Sequence, residues 1–191
     1  MIKCRGNIEY ETIDGGFNYN KGVTEFKEDA YLSISISGRV QFDKINSKVV
    51  KIRGKFVGSV IDAVNVDVAG DGDINCISGL EWVNIVYSKK INCCSIKSHG
   101  TVVVKPREHI GKDFELDLGP VHVKLKHDKE VDCAGTIIDE IIAPNVEING
   151  CNVKEISCND IVATNCNIKR LIYKNKKISN CNIDKEIAKE N

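Results

Sequence analysis

Cysteine is the residue with the most chemistry to offer in this 191-residue chain. It occurs nine times, as Cys4, Cys76, Cys93, Cys94, Cys133, Cys151, Cys158, Cys166 and Cys181. Three of the nine sit in tripeptides fifteen residues apart, Gly150-Cys151-Asn152, Asn165-Cys166-Asn167 and Asn180-Cys181-Asn182. Thiols at a fixed interval could gather a soft metal or undergo oxidation. A zinc site, however, wants about four convergent ligands, and a straight column supplies a line of sulfurs with no tetrahedral partner. The expectation is therefore buried packing thiols, because Cys behaves as a small hydrophobe. Cys93 and Cys94 are adjacent, so on a strand they point to opposite sides. One of them should be exposed and the more oxidisable. His99 nearby does not complete a ligand set.

Other candidate chemistry is sparse. Asp71-Gly72-Asp73-Ile74-Asn75 has the look of a calcium loop. An EF-hand needs Glu at its twelfth position, and Trp82 stands there instead. Solenoids that bind calcium between turns repeat the motif, and here it occurs once. A solvated corner is the expected reading. Asp62, Asp67, Asp71 and Asp73 could form an acidic patch like those of polysaccharide-cleaving β-helices, but surface solvation accounts for them. His99, His109, His122 and His127 stand beside no Ser or Cys nucleophile motif. The chain has no Gly-x-Ser-x-Gly and no phosphate-cradling glycine loop. No catalytic residue, metal or cofactor is assigned, and the chain is expected not to be an enzyme.

Composition narrows the partners. Lys plus Arg and Asp plus Glu are both 27, giving a formal net charge of zero. A dedicated nucleic-acid binder would carry a basic excess, so no nucleic-acid partner is expected. Met1-Ile2-Lys3-Cys4-Arg5-Gly6 leads into no apolar signal region. No apolar run approaches the ~18 residues of a membrane helix, and whether the chain meets a membrane in another way is left open. The thiols then read as reduced and the location as cytoplasmic.

What must position these residues is a repeat. From Gly135 to Ala188, apolar or small residues fall in pairs two apart, one pair every five residues: Cys151/Val153, Ile156/Cys158, Ile161/Ala163, Cys166/Ile168, Leu171/Tyr173. A spacing of two places both members on one side of an extended segment. Three such pairs per fifteen residues describe one turn of a three-sided coil stacked on the next. The first half repeats at sixteen: Gly6, Gly22, Gly38, Gly54 and Gly70, with apolar columns before and after. Ile85 and Gly100 continue the count at fifteen. Lys105-Pro106-Arg107-Glu108-His109 reads as a loop. Gly119, Gly135, Gly150, Asn165 and Asn180 then resume it. We read Gly and Asn as one corner column, since both tolerate positive φ. Stacked Asn can add side-chain amide ladders.

The expected fold is thus an all-β, single-stranded, right-handed parallel β-helix of triangular section, with about twelve turns of 15–16 residues and a length of roughly 55 Å. It forms one domain over 1–191, with sixteen-residue turns over 1–104, an irregular turn with its loop over 105–130 and fifteen-residue turns over 131–191. Only Ile183 to Glu190 has the spacing of a short helix.

The Gly-x-apolar-x-apolar turns and the rod-of-rungs organisation resemble the bactofilins, polymer-forming bacterial cytoskeletal proteins built as a small right-handed triangular β-helix. The likeness covers Gly6 to about Ile183. It implies a structural scaffold that associates with itself end to end, in company with other cytoskeletal or cell-envelope proteins, and brings no catalytic residue. A second, local resemblance lies in Cys151-Asn-Val-Lys-Glu155, Ile161-Val-Ala-Thr-Asn165 and Cys166-Asn-Ile-Lys-Arg170. These look like pentapeptide repeats and imply a protein-binding module. A carbohydrate-active β-helix enzyme is the third reading.

End-to-end assembly would run through Ile2, Ile8 and Tyr10 at one end and Ile178, Ile183 and Ile187 at the other. Against it, the first turns put Asn18, Asn20 and Asp29 in core columns, as polar caps would. The last turn puts Lys176 and Glu186 there.

Overall fold

The structure, a computed structural model, describes residues 2–14, 33–107, 114–117, 122–125 and 136–190, with side chains over 38–107 and 136–190. Thirteen strands follow in order: β1 Ile2–Asp14, β2 Ser33–Tyr87, β3 Ile91–Ser98, β4 Thr101–Pro106, β5 Phe114–Asp117, β6 His122–Leu125, β7 Ile137–Ile142, β8 Asn145–Asn149, β9 Asn152–Ser157, β10 Asp160–Thr164, β11 Asn167–Tyr173, β12 Asn175–Ser179 and β13 Asn182–Ala188. All but β5 and β6 join one eleven-stranded sheet, whose strands pair in parallel. A parallel neighbour at a constant offset of one turn is the definition of a coil. The described residues form a parallel β-solenoid of about six turns.

In the C-terminal part each turn is fifteen residues. Ile137 pairs with Asn152 and Asn152 with Asn167, which pairs with Asn182. Inward residues are the apolar ones the spacing predicts: Cys151, Val153, Ile156, Cys158, Ile161, Ala163, Cys166, Ile168 and Leu171 are all buried. In the first part the offset is sixteen. Ser59 Oγ donates to Asp43 Oδ1 at 3.2 Å and Asn65 Nδ2 to Glu81 Oε2 at 3.0 Å, each pair sixteen apart. The strand-like bonding of β2 runs unbroken through its 55 residues, so this one strand wraps around the axis. Its core is Val40, Phe42, Ile45, Val50, Ile52, Phe56, Ile61, Val66 and Val68.

Among the described residues about six turns form, fewer than the twelve expected. Gly6 pairs directly with Gly38, thirty-two residues on. Asn92 pairs with Ile137 and Thr101 with Asn145, forty-five and forty-four residues on. Pairing resumes at Ile137. Of the intervening chain, β5 and β6 form a separate antiparallel pair. Gly22, Gly119 and Gly135 themselves, with Asn18, Asn20, Asp29, His109, His127 and Cys133, lie outside the described residues.

The step after Gly70 also differs from the expected fifteen. Gly72 pairs with Ile91 and Trp82 with Thr101, an offset of nineteen. Ile85 therefore belongs to an inward column above Val104, not to the corner column. One residue of the extra length enters before Asn84, which faces Asp67 seventeen residues back, and the rest sits at Ser88, Lys89 and Lys90. Their three amides donate to a single atom, Asp71 Oδ1, at 2.9, 2.6 and 3.0 Å.

Gly and Asn are not one column either. Val40, Phe56, Gly72, Ile91, Thr136, Cys151, Cys166 and Cys181 stack in register. Gly38, Gly54 and Gly70 stand two residues before that column, whereas Gly150, Asn165 and Asn180 stand one before it. The sixteenth residue of the longer turn is the one inserted at this corner. Finally, Ile183 to Glu190 is not helical. It carries β13, whose backbone groups pair with β11 instead of with each other.

Candidate functional site

The last turn of the coil gathers more unusual features than any other described part. Its inward columns are easily followed. Ile148 and Ala163 lead to Ile178, Val153 and Ile168 to Ile183, and Cys151 and Cys166 to Cys181. The earlier members are buried, while Ile178, Ile183 and Cys181 are half-buried against the core. Among the described residues no further turn stacks on them. Of the three remaining inward columns, that of Cys158 and Tyr173 ends on Ala188, and the other two turn polar at this level. Val146 and Ile161 lead to Lys176, and Ile156 and Leu171 lead to Glu186.

Those two charges meet. Lys176 Nζ makes an ion pair with Glu186 Oε2, each side chain 35% exposed. Tyr173 Oη donates to the same carboxylate oxygen at 3.1 Å. The ammonium lies 5.0 Å from the Tyr173 ring centroid, within cation–π range. The Lys176 hydrogen bond holds the Glu186 carboxyl below its ordinary range. The reciprocal bond from Glu186, with Tyr173 behind it, raises the Lys176 ammonium. The arrangement is a polar lid over the end of an apolar lumen, made from the two residues whose charge breaks the columns.

The six residues expected at the ends are not equivalent. Ile2, Ile8 and Tyr10 lie in β1, with backbone partners Ile34, Val40 and Phe42. Ile178 and Ile183 are in inward columns. Ile187 is not: it pairs with Ile172, above Ser157 and the exposed Ile142. It belongs to a side face of the rod.

The thiols divide by depth. Cys93 is buried and Cys94 exposed, as their adjacency on a strand predicts. Burial pushes the Cys93 thiol up to about 12 and the Cys158 thiol up to about 11. Cys76 is likewise raised by burial. Cys166 goes the other way. It is lowered to about 7, first by a hydrogen bond from the Cys151 thiol and then by backbone bonds. Cys181, nearer the solvent, is raised by burial. No family model, curated protein or solved structure matches the chain. Its own geometry must therefore carry any functional reading.

Asp71, in the calcium-like stretch, is committed to the Ser88–Lys90 amides, a structural role that its sequence neighbours do not signal. Among the described residues, no three His, Cys, Asp or Glu side chains converge where a metal ion could sit. The corner polar groups pair with one another instead. Asn180 Nδ2 donates to Asn165 Oδ1 at 2.6 Å, Asn167 Nδ2 to Asn152 Oδ1 at 2.9 Å and Asn175 Nδ2 to Asp160 Oδ1 at 2.8 Å. These are the side-chain ladders expected from stacked Asn.

Proposed function

We propose that the chain is a non-enzymatic structural scaffold, a right-handed three-sided rod that associates with further copies through its ends, as its resemblance to the bactofilins suggests. The observation that carries this reading is the incomplete last turn. β12 and β13 are each paired on one edge only, and unpaired parallel edges are templates for another strand. Ile178, Ile183 and Cys181 are half-buried where their column mates one turn earlier are fully buried. The three-sided section is supported by the burial pattern of β9 and β11. Two outward residues in succession, Lys154-Glu155 and Lys169-Arg170, separate the inward pairs Val153/Ile156 and Ile168/Leu171. A strand that presents two outward residues together is bending around an edge. A cytoplasmic site of action and partners among cytoskeletal or cell-envelope proteins belong to the same proposal.

A second reading, a protein-binding module of pentapeptide-repeat type, is favoured by the Lys176–Glu186 lid. Stacking another turn on that pair would remove both charges from water, and such a cost is repaid only with good partners. Sedimentation and negative-stain imaging separate the two. The scaffold reading expects assemblies that grow with concentration and are lost in Ile183→Asp and in Ile8→Asp. A wild-type chain that stays monomeric at high concentration, near neutral pH and across salt, removes the scaffold and leaves the binding module.

A further inference from the structure

The three-thiol column ends at the solvent, and its outer pair has the geometry of a reactive couple. We propose that Cys166 and Cys181 form a reversible disulfide across the last two turns, made by exchange with a small-molecule disulfide that enters at Cys181. End-to-end assembly would cover Cys181, so the exchange belongs to a free end of the rod.

Register places the two thiols. Asn167 pairs with Asn182 and Ile168 with Ile183, so the residues just before, Cys166 and Cys181, are stacked neighbours. Parallel strands are ~4.8 Å apart, inside the ~4.4–6.8 Å between α-carbons that a disulfide spans. Both cysteines stand between strands, each following an Asn with φ near the left-handed minimum, Asn165 at 52° and Asn180 at 51°. Backbone bonds flank the corner, from the Asn165 amide to the Ser179 carbonyl at 3.0 Å and from the Asn182 amide to the Cys166 carbonyl at 2.9 Å, and hold the two turns in this register. The Cys181 sulfur already leans toward its neighbour and accepts the Cys166 amide at 3.3 Å.

Access and reactivity are divided between the two. Cys181 is half-exposed, whereas Cys166 is 2% exposed and Cys151 is fully buried. A reagent can reach only the outermost thiol. The inner thiol donates to the Thr164 carbonyl at 3.1 Å and is lowered to about 7, chiefly by the neighbouring Cys151 side chain. This is the division that exchange requires, an accessible entry sulfur and a resolving thiolate behind it. Cys151 is the positioning residue, and its own depth keeps it out of the exchange.

The steps balance. The Cys181 thiolate attacks one sulfur of glutathione disulfide, breaking that S–S bond, forming a mixed disulfide on Cys181 and releasing one glutathione thiolate. The Cys166 thiolate then attacks the Cys181 sulfur, forming the Cys166–Cys181 bond and displacing the second glutathione. Two protein thiols are oxidised, one glutathione disulfide is reduced, and the two protons end on the released glutathione. Stacked side chains on parallel strands hold their β-carbons wider than the ~3.8 Å mean of an unstrained bridge. Strained links are the labile ones, so this bond opens readily with a dithiol.

The test uses the full chain carrying Cys94→Ser, because Cys94 is exposed. It is treated with glutathione disulfide at about pH 8.5, which brings more of the Cys181 thiol, raised by burial, into its thiolate form, then quenched in acid and mapped by mass spectrometry. The expected result is a peptide linking Cys166 to Cys181 that disappears with dithiothreitol. Cys166→Ser and Cys166→Ala should stop at glutathione on Cys181, and Cys181→Ser should yield neither product. The unsubstituted chain, mapped in parallel, gives the same link without any variant. A link from Cys181 to another cysteine, or no adduct at Cys181 when Cys166 is replaced, overturns the proposal.

Discussion

The sixteen-residue turns of β2 and the fifteen-residue turns from Ile137 onward build the same coil by different means. In β2 the corner glycines Gly38 and Gly54 have φ of 107° and 125°. These values lie well beyond the left-handed helical region near +57°, in territory that side chains avoid. A Cβ on Gly54 would collide with the Gly38 carbonyl, and one on Gly70 with the Gly54 carbonyl. In the later turns Gly150, Asn165 and Asn180 have φ of 68°, 52° and 51°. That region is the one Asn tolerates. One residue more per turn thus converts a corner that Asn can hold into one that only Gly can hold.

The interiors differ as well. The earlier turns use Phe42 and Phe56 and set a glycine beside each. A Cβ at Gly58 would strike the Phe42 ring, and one at Gly72 would meet the Phe56 carbonyl and ring. The later turns stack residues of nearly constant size, such as Ile138, Val153 and Ile168 or Cys151 and Cys166. The first solution fills the lumen by alternating large and small along the axis, the second by repetition.

The sharpest way to break this contrast is to exchange the corner residues. Gly54→Asn should prevent folding or destabilise by more than ~4 kcal/mol, from combined overlap and forbidden φ. Asn165→Gly should cost under ~1 kcal/mol. Denaturant melts of the two variants decide it, and equal effects would erase the distinction between corners. Next come the cores. Ile52→Ala and Ile168→Ala, one in each region, should each cost ~2–5 kcal/mol through lost burial and a cavity. A loss below ~0.5 kcal/mol at Ile52, on that same scale, would contradict its inward register.

A smaller effect sharpens the packing argument. Gly58→Ala should destabilise by ~1–3 kcal/mol through overpacking. Adding Phe42→Leu should recover part of that loss, a coupling readable in a double-mutant cycle. No comparable rescue exists in the repetitive columns.

A further effect is on pH. Cys166 has its folded value lowered to about 7 from 9.0. Between those values the unfolded chain binds more protons, so stability should rise with pH, by at most ~3 kcal/mol. Cys93 and Cys158 are raised, to about 12 and about 11. Above 9 the unfolded chain loses their protons first, and stability should fall. Thermal melts should peak near pH 9, and Cys166→Ser should flatten the rise below it. A rise that persists in Cys166→Ser would assign it to another group.

The coil itself was legible in the sequence because period-two apolar pairs and repeated corner residues are local signals. Cys151/Val153 and Ile156/Cys158 are inward as their spacing requires. Miscounting arose where the signal is not local. Gly119 keeps a coil interval from its neighbours, yet β3 pairs straight to β7. Spacing alone cannot distinguish a stacked turn from an equal length of chain leading elsewhere. The Gly-to-Asn column failed for a related reason, since residue type reports positive φ but not which residue of a corner carries it. At the end of the rod, Lys176 and Glu186 were visible as polar breaks in apolar columns. Their mutual pairing was not, because it depends on which columns face each other across the lumen. Asp71 lay in a stretch that suggested a cation, while its carboxylate serves three amides.

The direct pairing of β3 with β7 has a consequence for the order of assembly. Successive turns from Ile137 close loops of fifteen residues, whereas joining Asn92 to Ile137 closes one of forty-five. Loop closure costs about 1 kcal/mol more for that threefold length. The later turns, with the shorter contacts, should form early, as local topology favours fast steps. The coil then grows from two seeds, β2 and the fifteen-residue turns, and the seam between them closes last. Tyr87, whose hydroxyl reaches the carbonyl of Gly150 at 2.7 Å, is the buried bolt across that seam, and its replacement by Phe should speed unfolding more than it slows folding.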